Sequence, residues 1–89
     1  MKEIYVGNLR FDMTVDELRD LFTSFGPIYS IDLYTEPEPG RPHGFAFVEM
    51  DADGADAAIR ELDGTEFLGR TLKVEEVREQ VFKIHKRYR

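Results

Sequence analysis

Residues 43–50, HGFAFVEM, are apolar on both faces of what reads as a β-strand. Alternate residues of a strand share a face, so Phe45 and Phe47 point one way and Ala46 and Val48 the other. Such a strand is either buried on both sides or belongs to a sheet with one covered face and one that presents aromatic rings. The two cases need different numbers of covering elements, so the rest of the chain decides between them.

Residues 3–9, EIYVGNL, alternate and are rich in β-formers, which predicts a strand. The turn-like RFDM follows. TVDELRDLFTSFG reads as a helix from both ends. Thr14 and Glu17 have the spacing of a capping box, Val15, Leu18, Leu21, Phe22 and Phe25 form one apolar stripe, and Gly26-Pro27 stops it. IYSIDLY, residues 28–34, predicts a second strand, and the proline- and charge-rich TEPEPGRP predicts a long connection to the third strand, HGFAFVEM. DADGADAAIRELD, residues 51–63, predicts a second helix. Its early aspartates suit the positive end of the helix dipole, Ala55, Ala58, Ile59 and Leu62 recur on one side, and Gly64 suits its C-terminal end. TEFLGRTLKVEEV then predicts a Gly69-Arg70 turn and a last strand from about Thr71 to Glu76.

The order βαββαβ predicts an α+β, ferredoxin-like fold: a four-stranded antiparallel sheet with both helices on one face. Two helices cover one face only. Alternation assigns Ile4, Val6, Ile31, Leu33, Ala46, Val48, Leu72 and Val74 to the covered face. Tyr5, Asp32, Tyr34, Phe45, Phe47, Glu49, Lys73 and Glu75 fall on the other.

The 89 residues have room for one small domain with a modest core. The absence of cysteine excludes disulfides, thiolate metal sites and a cysteine nucleophile, and it suits a reducing compartment. No apolar run approaches the ~20 residues of a membrane span, and MKEIYVGNL lacks the features of a signal peptide. A soluble protein of the cytoplasm is expected, or of the nucleus in a eukaryote. The formal net charge is -6, unevenly spread. Residues 1–76 hold 7 Lys/Arg against 17 Asp/Glu, whereas residues 77–89 hold Arg78, Lys83, Lys86, Arg87 and Arg89 against Glu79 alone. An acidic body (1–76) therefore carries a basic tail (77–89), an unusual balance for a nucleic-acid binder, whose affinity draws on phosphate neutralisation.

Two segments nevertheless resemble the RNA recognition motif family, and the resemblance spans residues 3–76. IYVGNL, residues 4–9, is similar to the family's hexapeptide on the first strand. HGFAFVEM is similar to its octapeptide on the third, K/R-G-F/Y-G/A-F-V-x-F/Y. The chain looks most like small single-domain members such as those of bacteria. The resemblance implies that Tyr5, Phe45 and Phe47 stack on bases or pack on sugars of single-stranded RNA. It makes Asn8 a structural residue at the strand exit. His43 stands where the octapeptide has Lys or Arg and, at its reference pKa of about 6.5, carries little charge at pH 7. Arg41 and Lys73 are the candidate substitutes for that charge, and Tyr34 shares the ring face by alternation. Met50 replaces a terminal aromatic and reads as core.

The tail leaves two placements open. VREQVFKIHKRYR can form a helix with Val77, Val81, Ile84 or His85, and Tyr88 along one side. That helix could mask the rings, or turn its basic side to RNA. The leading functional expectation is non-catalytic, weak to moderate binding of single-stranded RNA, or single-stranded DNA, by a monomer without cofactor or metal. A protein-interaction module on the same fold is the alternative, since an acidic surface favours a basic partner. An acylphosphatase-like hydrolase is disfavoured: no phosphate-cradling loop follows the first strand, and no nucleophile–base pair or metal-ligand set is visible.

Overall fold

The capping box forms at the first helix. Thr14 Oγ1 accepts from the Glu17 N–H at 3.1 Å, and Glu17 Oε1 accepts from the Thr14 N–H at 2.9 Å. These bonds satisfy donors that a helix start leaves open. The computed structural model describes residues 1–36 and 43–77. Its elements are β1 (Lys2–Leu9), α1 (Val15–Thr23), β2 (Ile28–Tyr34), β3 (Gly44–Met50), α2 (Ala52–Leu62), β4 (Glu66–Phe67), β5 (Arg70–Thr71) and β6 (Lys73–Glu76).

Strands β2, β3, β1 and β6 make one antiparallel sheet in that order. Ile4 pairs with Val48, and Val6 pairs with both Ala46 and Val74. All five are fully buried, together with Leu18 and Phe22 of α1 and Ala55 and Ala58 of α2. The helices therefore cover the face that alternation assigned to them. Ile31 and Leu33 pack against this core from the covered face, as assigned, and are half-buried because β2 is an edge strand. Val15 is 37% exposed, at the first turn of α1 and outside the apolar stripe. Met50 is fully buried, as its core assignment required.

Helix α2 lies close against the chain after α1. Asp51 caps it by accepting from the Gly54 N–H at 3.2 Å. A Cβ on Gly54 would stand 2.6 Å from the Phe25 carbonyl oxygen and 3.1 Å from Met50 Cε. Only a residue without a side chain permits that approach.

The last third differs from expectation. Glu66–Phe67 pairs with Arg70–Thr71 in a hairpin separate from the main sheet. Its turn is Leu68-Gly69, with φ of 52° and 85°, one residue earlier than the expected Gly69-Arg70. Positive φ at both central residues matches the right-handed twist of paired strands. The last sheet strand consequently begins at Lys73 rather than Thr71. Leu72 is tied back by its N–H to the Thr65 carbonyl at 2.8 Å, and its own carbonyl accepts from Gly64 at 2.9 Å. Asp63 Oδ1 accepts from the Val74 N–H at 2.8 Å, which satisfies a backbone donor on the outer edge of β6. No helix among the described residues is long and apolar enough to cross a membrane.

Candidate functional site

The sheet face opposite the helices is read best row by row across the strands. Asp32 lies beside Phe47, Phe47 beside Tyr5, and Tyr5 beside Glu75. The next row, towards the start of β3, has Tyr34 beside Phe45 and Gly7 beside Lys73. The pairing of β1 with β3 is irregular between Val6 and Leu9, opposite Phe45.

Four rings meet on these two rows. Tyr34 stacks on Phe45 with centroids 5.0 Å apart and planes 17° apart, and Tyr5 flanks Phe45 at 6.1 Å and 28°. Phe47 meets Tyr5 at 5.8 Å, Phe45 at 5.8 Å and Tyr34 at 6.3 Å, each time edge to face. Both arrangements suit the charge distribution of aromatic rings. The consequence for Phe47 differs from the alternation reading. Phe47 is on the expected face but is only 8% exposed, with three rings standing around it. Tyr5 and Phe45 are half-buried and Tyr34 is 36% exposed. Tyr5, Phe45 and Tyr34, the near-parallel trio, are thus the more exposed rings of the cluster, and Phe47 meets each of them edge to face.

Gly7 sets the pose of Tyr5. A Cβ on Gly7 would lie 2.6 Å from the Tyr5 hydroxyl oxygen and 2.7 Å from Cε2. The Tyr5 ring thus lies along its own strand, over the place where a side chain two residues on would stand. Nothing in the hexapeptide pattern by itself signalled this.

Charge is graded along the strands. Glu3 pairs with Glu49 at the β3 C-terminal end of the face, where Glu49 Oε1 accepts from Ser30 Oγ at 3.0 Å. Asp32 and Glu75 flank the middle row, and Lys73 stands one row further on. Two other cations of the body are matched by acids. Arg10 meets both Asp12 carboxylate oxygens at 2.8 Å, which holds the Asp12 carboxyl below its ordinary range and the guanidinium above its own. Lys2 meets Asp56 at 2.8 Å, and that hydrogen bond raises its ammonium pKa.

At the head of β3 stands a residue that sequence reasoning missed. Arg70 Nη2 lies 2.7 Å from His43 Nδ1. A guanidinium can only donate, so the imidazole nitrogen accepts. Arg70 Nε donates to the Asn8 carbonyl at 3.1 Å, and Nη2 donates to Asn8 Oδ1 at 2.5 Å. The Gly69 turn hinted that Arg70 sits on a hairpin, but its partners lie 62 and 27 residues away in sequence. Of the site residues expected from sequence, Tyr5, Tyr34, His43, Phe45, Phe47 and Lys73 are thus brought to one face. Arg41 and the tail from residue 78 onwards lie outside the described residues.

The model of the RNA recognition motif family matches residues 4–73. A Nostoc sp. protein named "Putative RNA-binding protein RbpE" is 49% identical over 76 residues, covering 84% of this chain and 77% of its own. RbpD of the same organism is 50% identical over 72 residues, covering 80% of this chain and 77% of its own. Among solved structures, RNA Binding Protein PG1 superposes with a TM-score of 0.77 at 42% identity, over 89% of this chain and 96% of that one. The RNA recognition motif of Rna15 with bound RNA (GU) superposes with a TM-score of 0.75 at 25% identity, over 98% of this chain and 97% of that one.

Proposed function

The chain belongs to the RNA recognition motif family, and on that premise we propose that it binds single-stranded RNA without catalysis, through bases stacked on Tyr5, Phe45 and Tyr34. The family, the RNA-binding relatives and the RNA-bound neighbour support RNA as the partner. The observation that carries the stacking mechanism is the ring cluster itself, three near-parallel rings braced edge-on by Phe47 on the face the helices leave uncovered. An unstacked base offers a π-face to each accessible ring. Two to four nucleotides fit one such platform, on the order of the two or three bases that this module's aromatics stack. Asp32 and Glu75, flanking the middle row, can accept from base amino groups, while Lys73 faces the backbone. The acidic body keeps affinity weak to moderate, because few phosphates are neutralised.

The test is a titration of dye-labelled, mixed-sequence single-stranded RNA octamers at low salt, followed by anisotropy. Saturable binding that weakens as salt rises is the expected result. A flat titration would overturn the proposal and favour the protein-interaction reading, which the acidic body supports.

Gly7 gives a finer check. Gly7→Ala forces the Tyr5 ring out of its pose while the strand pairing stays intact, since the obstructing atoms belong to a side chain. Binding weakens about three- to tenfold, less than the ~1–3 kcal/mol of losing a ring outright. In a Tyr5→Ala background the same substitution costs nothing. Equal losses in both backgrounds would show that Gly7 does not act through Tyr5.

A further inference from the structure

We propose that Arg70 is a phosphate-binding residue of this face, forming with His43 and Asn8 an anion subsite at the head of β3. The inference rests on the RNA-binding reading and adds a site to it. Position is the first argument. His43 is next in alternation to Phe45 and Phe47, and the Arg70 guanidinium stands 2.7 Å from its ring. Arg70 therefore reaches the rim of the ring platform at the end away from Glu3 and Glu49.

Charge is the second argument. The octapeptide position that His43 occupies lacks its usual fixed charge, and a guanidinium from a different element stands against it. Arg70 is held by neutral groups, the Asn8 carbonyl, Asn8 Oδ1 and the His43 ring. Lys2 and Arg10 each meet a carboxylate instead, and among the described residues Arg70 meets none. Its charge is not cancelled locally.

Donor geometry is the third argument. Nε and Nη2 are used by Asn8 and His43, and Nη1 makes no hydrogen bond among the described residues. The anchored half fixes the plane of the guanidinium, so the remaining N–H groups are aimed in advance. Both remaining N–H groups are on Nη1, charged donors that suit a phosphodiester oxygen. Lys73, by contrast, offers a point charge on a flexible stem.

The experiment compares wild type, Arg70→Gln and Arg70→Lys on one RNA octamer, and on versions with a single neutral methylphosphonate at each linkage in turn. Arg70→Gln lowers the steepness of log K against log salt by about 0.7, the value for one phosphate contact on a single strand. Arg70→Lys keeps most of that steepness. One linkage, when neutral, weakens wild type several-fold and leaves Arg70→Gln unaffected. A wild-type NMR titration supplies a readout that does not depend on how the variants fold: the Arg70 Nε–H resonance shifts with the unmodified octamer and not with the one neutral at that linkage. Equal steepness in wild type and Arg70→Gln, or losses at every linkage shared by both proteins, overturns the assignment while leaving RNA binding intact. Absence of wild-type binding overturns the RNA reading and this subsite together.

Discussion

Phe45→Ala weakens RNA binding roughly 5- to 150-fold and leaves the fold standing, whereas Phe47→Ala damages both. The first figure follows from the ~1–3 kcal/mol that a stacked base loses when its ring is truncated. Phe45 is half-buried and lies in the near-parallel trio, so its removal takes away contact surface more than packing. Phe47 is 8% exposed and meets three rings edge-on. Its truncation leaves a void among the other three rings and costs about 3 kcal/mol of folding free energy, at the low end for a buried phenylalanine. That is a large share of the ~5–15 kcal/mol that holds a domain folded. Urea midpoints and anisotropy titrations of the two single variants separate the effects. A Phe45→Ala protein that binds like wild type would sink the stacking mechanism. An unchanged urea midpoint for Phe47→Ala would show that its ring does not brace the cluster.

Gly54→Ala destabilises the domain by about 1–3 kcal/mol, the range for overpacking a tight contact. The sign is the informative part. In an exposed helix interior the same change gains about 1 kcal/mol, because alanine has the better helix propensity. Here the new Cβ would sit 2.6 Å from the Phe25 carbonyl oxygen, a backbone atom that cannot swing aside as a side chain can. Helix α2 has to move off the α1–β2 connection or off Met50, and Met50, the last residue of β3, is fully buried. A lowered urea midpoint at unchanged slope is the expected result. A raised midpoint would mean that the helix has room to retreat, and that the close approach is not needed.

The sheet and both helices were legible because each rests on local signals. The Thr14 and Glu17 spacing became the bonded cap, and the alternating apolar residues of β1, β3 and β6 became the core. The ring face was legible for the same reason, since alternation alone decides which side Tyr5, Tyr34, Phe45 and Phe47 take. Depth on that face was not legible. Phe45 and Phe47 are equivalent by periodicity, and each meets three rings. Yet Phe47 is paired on both sides, by Tyr5 and Asp32, whereas Phe45 lies opposite the irregular part of β1, and only Phe47 is buried. Edge position was hidden too: Ile31 and Leu33 take the covered face that alternation gives them, but only the strand order shows that they are half-buried there. The Leu68-Gly69 turn escaped because a leucine with positive φ runs against its own preference, and pairing in the short hairpin imposes it. Arg70 escaped because its role is made by partners far away in the chain.

Asn8 shows what one letter of a motif can encode. It sits in the irregular stretch of β1 at φ 64°, its amide nitrogen donates to the Thr71 carbonyl at 2.6 Å, and its two oxygens receive Arg70. Glycine would accept the backbone angle and lose the side-chain joint. Aspartate would keep an oxygen for Arg70 and lose the donor for Thr71. Glutamine has the right amide on a longer stem and little ease at that angle. The position works as a rivet through two pieces of chain that the sequence sets more than sixty residues apart. In a library randomised at residue 8, the alphabet that keeps both pieces joined shrinks to asparagine, although that side chain need never touch RNA.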